Sequence, residues 1–226
     1  MHIPDGYLSP QTYIPLYAAF AAFCAIALKK LKKELSAKSI PYLGIAAAFS
    51  FLIMMFNIPI PGGTTGHAVG ASIAAIILGP WTAVVAISVA LIIQAFIFGD
   101  GGITAIGANC FNMAVVMPFV SYWIFKSIRR NSLNGSRIFA ASFLAGYFGL
   151  FIAAVITAIE FGIQPLVASS ADGKPLYAPY PLEIAVPAMA LEHLLLFGII
   201  EGTVTALLIK YFFKNEPEII YAMKEK

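Results

Sequence analysis

Seven apolar runs, at 11–29, 40–58, 67–79, 81–98, 105–125, 138–163 and 185–211, take up most of this chain and restrict what it can fold into. A helix of about 20 apolar residues crosses the hydrocarbon core of a bilayer. Runs this uniformly apolar lack the alternation of barrel strands, so helix is the spanning element they allow. Only 11% of the 226 residues are charged, against about 25% in soluble domains. The expected fold is all-α: a polytopic membrane protein of seven transmembrane helices, residues 1–226 forming one transmembrane domain.

The breaks between the runs are a basic hinge at Lys29–Lys38, a Pro/Gly loop at Pro59–Gly66 and a turn at Gly79-Pro80. They continue with glycines at 99–102, a basic loop at Lys126–Arg137 and a longer loop at Gln164–Pro181. With the N-terminus outside and the C-terminus cytoplasmic, 13 of the 14 basic residues, Lys38 and Lys226 among them, fall on the inner side and only Lys174 outside. That is the asymmetry of the positive-inside rule. A net charge of +3 scattered over loops makes no basic stripe for nucleic acid. Cys24 and Cys110 lie in or beside apolar runs and read as inert thiols. The first residues, MHIPDGYLSP, lack the basic start and apolar core of a signal peptide, so Met1 is expected to be the mature N-terminus.

The third run spans only residues 67–79, roughly 20 Å of helix against a core of about 30 Å. A short helix with a re-entrant loop before it accounts for this. Irregular backbone is tolerated at membrane depth only where it packs in protein or lines a cavity. The segment Pro61–His67 is therefore expected at the wall of an outward-facing pocket, with His67 heading the short helix.

The chemistry concentrates at the N-terminus. A free terminal amine followed by His2 can chelate a metal through the amine, the His2 backbone nitrogen and imidazole Nδ1, in fused five- and six-membered rings. The backbone nitrogen binds well only when deprotonated, which suits ions that accept a square-planar nitrogen field, Cu(II) and Ni(II). Three of four planar positions are filled, and His67, on the same side of the membrane, is the candidate for the fourth. A second layer of buried amides, Gln94, Asn109 and Asn112, could orient an imidazole or simply tie helices together. Asn109 and Asn112, three apart, are expected on one helix face. Glu160, at the outer end of its span, could be solvated. Glu192 and Glu201 lie within the last run, where ionisable groups are costly and usually functional or paired. An alternative reading is an intramembrane metalloenzyme using His67, His193 and Glu192. No protease, phosphate-loop or dinucleotide motif is present.

In the blocks MHIPDGYLSP (1–10), PGGTTGHAVGA (61–71), IIQAFIFGDGGITAIGANCFNMA (92–114) and EHLLLFGIIEG (192–202), the chain resembles the CbiM/NikM family. These are the substrate-binding membrane components of energy-coupling-factor transporters for cobalt and nickel. The resemblance implies a seven-helix protein of the prokaryotic plasma membrane and not an enzyme. It implies a metal held near the outer face by the Met1 amine, the His2 backbone and imidazole nitrogens, and His67. It also implies partners: a transmembrane coupling subunit, ATPase subunits that hydrolyse ATP, and in some systems a small accessory membrane protein. Ni(II) is the expected cargo over Co(II), because a deprotonated amide in an all-nitrogen plane suits low-spin d⁸ nickel. No catalytic cofactor is expected.

Overall fold

The computed structural model describes residues 1–34 and 40–224. Lys38 and Lys226, counted above on the inner side, lie outside the described residues. Among the described residues the chain is mostly helical. In chain order the helices are α1 (Pro10–Glu34), α2 (Ile40–Met54), α3 (Ala71–Leu78) and α4 (Pro80–Phe98). There follow α5 (Ile106–Arg129), α6 (Gly135–Val167), α7 (Leu182–Asn215) and a short α8 (Tyr221–Lys224). Five of these (α1, α4, α5, α6 and α7) are long and apolar enough to cross a membrane. At 15 and 8 residues, α2 and α3 are shorter.

The helix ends follow local chemistry. Gly79, at φ 87°, breaks the chain between α3 and α4, and Pro80 then opens α4, where its missing N–H costs nothing. Asn134 caps α6, its Oδ1 accepting from the N–H groups of Ser136 and Arg137 at 2.9 and 3.2 Å. Several boundaries differ from the sequence expectation. Lys29, Lys30, Lys32 and Lys33 continue α1 and do not form a hinge, with the Lys30 ammonium 4.4 Å from the Trp81 ring. The second run leaves the helix after Met54, and the basic loop after α5 shrinks to residues 130–134.

Three of the long helices widen into a π-helical turn: Gln94–Phe98 in α4, Phe111–Val116 in α5 and His193–Phe197 in α7. Each turn holds one fully buried polar side chain, Gln94, Asn112 or His193. Such turns are rare and gather at functional sites.

α6 packs against α5 and α7 through glycines. A Cβ on Gly146 would stand 2.9 Å from the Glu201 carbonyl oxygen, the Gly202 Cα and the Thr205 hydroxyl, and one on Gly149 would land on the Ser121 hydroxyl. Close backbone approach, not bulk apolar packing, sets this seam, as is usual between helices in lipid. By contrast Ala18, Ala21, Ala22 and Ala25 are exposed on α1, while Ala71 and Ala75 are buried. After α7 the chain folds back: Ile220 and Ala222 are buried, and the nearly buried Arg129 donates to the Ala222 carbonyl at 3.4 Å.

Because the atoms facing Gly146 include backbone that cannot rotate away, Gly146→Val should destabilise the bundle by about 1–3 kcal/mol. Thermal unfolding in detergent should show a lowered midpoint, with Gly135→Val, which has open space around its Cβ position, as the unaffected control.

Candidate metal centre

The start of the chain is threaded into the bundle. Met1 and Ile3 are fully buried and His2 is 3% exposed. The extended Ile3 is paired as if by another strand: its N–H donates to Asn109 Oδ1 at 2.9 Å, and its carbonyl accepts from Asn109 Nδ2 at 3.1 Å and from the Gly102 N–H at 2.8 Å. Asp5 closes the strap from outside, accepting from the N–H groups of Ile103 (3.1 Å) and Thr104 (2.8 Å) and from the Thr104 hydroxyl (2.5 Å). Desolvation opposes the Asp5 charge, but the Thr104 and Ile103 donors outweigh it and hold the carboxyl below its ordinary range. Further along, the Ser9 N–H donates to Gln164 Oε1 at 2.9 Å and the Ala178 N–H to the Tyr7 carbonyl at 3.1 Å.

Residues 58–70 supply the opposite wall. Ile58–Pro59 and Thr65–Gly66 pair as a minimal antiparallel hairpin, and His67, Ala68, Val69 and Gly70 are all buried. His67 does not head α3. Gly70, at φ 75°, stands before Ala71, so the helix starts four residues after His67. Burial and neighbouring charge, not a helix dipole, therefore act on the His67 imidazole.

The terminal amine donates to the Thr65 carbonyl and, at 3.1 Å, to the Thr65 hydroxyl, which also accepts from the His2 N–H at 3.3 Å. The His2 and His67 rings stack with centroids 4.6 Å apart and planes 26° from parallel. His67 Nδ1 lies 3.1 Å from the Ala68 carbonyl oxygen, which can only accept, so Nδ1 carries the proton and Nε2 the lone pair. His67 Nε2 and both ring nitrogens of His2 are buried without a hydrogen-bond partner. His2 Nδ1 is 3.5 Å from Asp100 Oδ1, and Asp100 is held in turn by the Asn57 amide at 3.0 Å.

Burial pushes the Met1 amine down to about 4, with Asp100 and Glu192 pulling weakly the other way. It lowers His2 to about 3, helped by the amine's charge and opposed by Gln94. His67 falls well below its usual value through burial, then through the amine and His2. Burial raises the Asp100 carboxyl. The enclosed amine and imidazoles are thus neutral near pH 7, the form in which each has a lone pair to give.

Of the amides expected around the site, Asn109 holds Ile3, and Gln94 faces His2 without a closed hydrogen bond. Asn112 turns elsewhere. Its Nδ2 donates to Thr157 Oγ1 at 3.0 Å and to Glu160 Oε2 at 2.7 Å. The π-helical turn after Cys110 changes the angle per residue, so Asn109 and Asn112 do not share a target. Glu160 is buried, not solvated, because this amide meets it. His193 lies three turns into α7, its Nδ1 donating to the Met189 carbonyl at 2.8 Å and 3.6 Å from Glu192 Oε2. Among the described residues no three His, Cys, Asp or Glu side chains converge to hold an ion. Sequence reasoning missed Thr65 and Asp5, whose roles depend on contacts some 60 and 100 residues away in the chain.

These features define a class: a polytopic helical membrane protein whose chain start is enclosed with neutral nitrogen donors. Residues 2–219 match the family described as "CbiM: Cobalt uptake substrate-specific transmembrane region", and the chain belongs to it. It is 54% identical over 97% of its length to the fused nickel transport protein NikMN of Rhodobacter capsulatus, of which it spans 64%. A putative metal transport protein of Methanocaldococcus jannaschii is 46% identical, with all of this chain and 97% of that one aligned. A solved structure described as a truncated transition metal transporter superposes with TM-score 0.91 at 49% identity, covering 95% of this chain and 99% of that one. The family and these relatives are named for metal transport, which sets aside the metalloenzyme reading.

Docking the strap buries bases that are protonated in water, so the docked state binds fewer protons. The folded values lie below the ordinary ones, and docking is lost as pH falls from about 8, the amine's ordinary value, towards 4. Hydrogen exchange on the metal-free chain should show protection of residues 1–8 falling about tenfold per pH unit below pH 8 and more steeply below about 6.5, where the His2 and His67 imidazoles also take up protons, after correction for intrinsic exchange.

Proposed function

We propose that this chain is the metal-capturing membrane subunit of an ATP-driven uptake system of the energy-coupling-factor type, in the plasma membrane of a prokaryote. Its cargo is Ni(II) in preference to Co(II). The ligands are the Met1 amine, the deprotonated His2 backbone nitrogen, His2 Nδ1 and His67 Nε2. Asn109 and Gln94 stand behind them, one holding the strap and the other facing His2, whereas Asn112 braces α5 against α6.

What carries the reading is the set of buried ring nitrogens without partners beside a buried, neutral chain terminus. Burying a polar atom unpaired costs about 1–3 kcal/mol. A site with several such atoms is stabilised by an ion that uses their lone pairs. The four nitrogens suit square-planar d⁸ nickel, and carboxylates at Asp100 and Glu192 lie near enough to act on the amine, offering counter-charge to a dication. Cu(II) stands above nickel in the affinity series, so discrimination against it depends on availability or strict geometry.

The remaining assignments belong to the same reading. Residues 1–226 act as one domain, with α2 and α3 completing seven membrane helices, the N-terminus outside and the C-terminus cytoplasmic. The coupling subunit, ATPase subunits and any small accessory membrane protein are separate chains.

The test is nickel content after purification. A version with one Gly before Met1 turns the amine into a peptide nitrogen and should retain less than about a tenth of the metal. Acetylation of Met1 should act alike, and a tag after Lys226 should be harmless. Equal nickel in the Gly-extended and C-terminally tagged proteins would rule out the terminal chelate.

A further inference from the structure

Glu201 is fully buried in α7, and nothing above gives it a role. No Lys or Arg ion-pairs with it among the described residues. Oε2 accepts from the Val69 N–H at 2.8 Å, both oxygens accept from the Gly70 N–H, at 3.1 and 3.0 Å, and the Ser72 hydroxyl and N–H also act on the carboxylate. These N–H groups precede α3, whose N-cap residue, Gly70, has no side chain to cap it. The Val69 carbonyl is held from the other side by the Ser50 hydroxyl of α2 at 2.7 Å.

The Val69 N–H and the Ala68 carbonyl belong to one peptide unit, which is planar and rigid. That carbonyl accepts the proton of His67 Nδ1 at 3.1 Å. A continuous chain therefore runs from the Glu201 carboxylate through the 68–69 peptide to the His67 ring, ending at the unpartnered Nε2. Where a histidine binds metal, a carboxylate or carbonyl on its other nitrogen fixes the tautomer and ring direction and raises the basicity of the free nitrogen. Here the carboxylate acts one peptide further out, polarising the carbonyl that does this.

We propose that Glu201 is the positioning residue for His67: it fixes the 68–69 peptide, selects the Nε2 lone-pair tautomer, and mechanically ties α7 to the metal-binding loop. The proposal rests on the reading of His67 as a ligand. It makes the last long helix a direct influence on capture, since a shift of α7 at Glu201 would turn the peptide that aims His67.

The test is a double-mutant cycle on the purified full-length chain in detergent, titrated with Ni(II) and followed by the visible nickel absorption. Glu201→Ala should weaken binding about 10–100-fold and shift the absorption towards lower energy as the His67 nitrogen leaves the plane. Glu201→Gln keeps one accepting oxygen, so its loss should be smaller, and it covers the case in which the Ala variant does not fold. In a His67→Ala background neither change should cost anything further, because their effect passes through His67. Glu201 variants that bind like wild type, or that lose as much without His67 as with it, would overturn the positioning role. If His67→Ala alone leaves binding intact, the ligand reading fails and this proposal falls with it.

Discussion

The rest of the structure depends on the burial of a chain terminus. An ammonium is expensive to remove from water, and a free start is normally mobile. Here the amine donates to the Thr65 carbonyl and hydroxyl, Ile3 is paired through both its N–H and its carbonyl by the Asn109 amide, and Asp5 closes the strap over residues 103–104. These contacts order the strap, and burial strips the amine of its proton. The bundle is shaped around this plug. The 58–70 loop forms one wall and the 99–105 turn another, and π-helical turns in α4, α5 and α7 set Gln94, Asn112 and His193 in the interior.

The second constraint is rigidity of the loop opposite. Residues 67–70 have no helix of their own to hold them. Ser50 from α2 and Glu201 from α7 grip the backbone at Val69 and Gly70, and Gly70 lies so close to Phe49 that a Cβ would collide with its ring. A histidine on a loose loop would bind metal with an entropic penalty. Fixed by its neighbours' peptides, His67 presents one nitrogen in one tautomer.

The long apolar runs were legible as helices because composition alone decides them, and His2 and His67 stood out because a second-position histidine is a chelator whatever the fold. The break at Gly70 was less legible: 67–79 is uniformly apolar apart from His67 and Ser72, and only a positive φ separates loop from helix. The partition of Asn109 from Asn112 was hidden too, since π-helical turns leave no mark on periodicity. Glu160 read as solvated because its partner, Asn112, lies 48 residues away. Thr65, Asp5 and Glu201 act through contacts between distant segments and backbone groups, which no local motif encodes.

In the proposed capture site four nitrogens, two of them from the first main-chain positions, close on one ion. X-ray absorption at the nickel edge of the loaded full-length chain reads this directly. The expected result is a single shell of four nitrogens with the edge features of a square-planar, diamagnetic centre, and outer-shell scattering from two imidazoles. A six-coordinate shell containing oxygen, or scattering from only one imidazole, would contradict it.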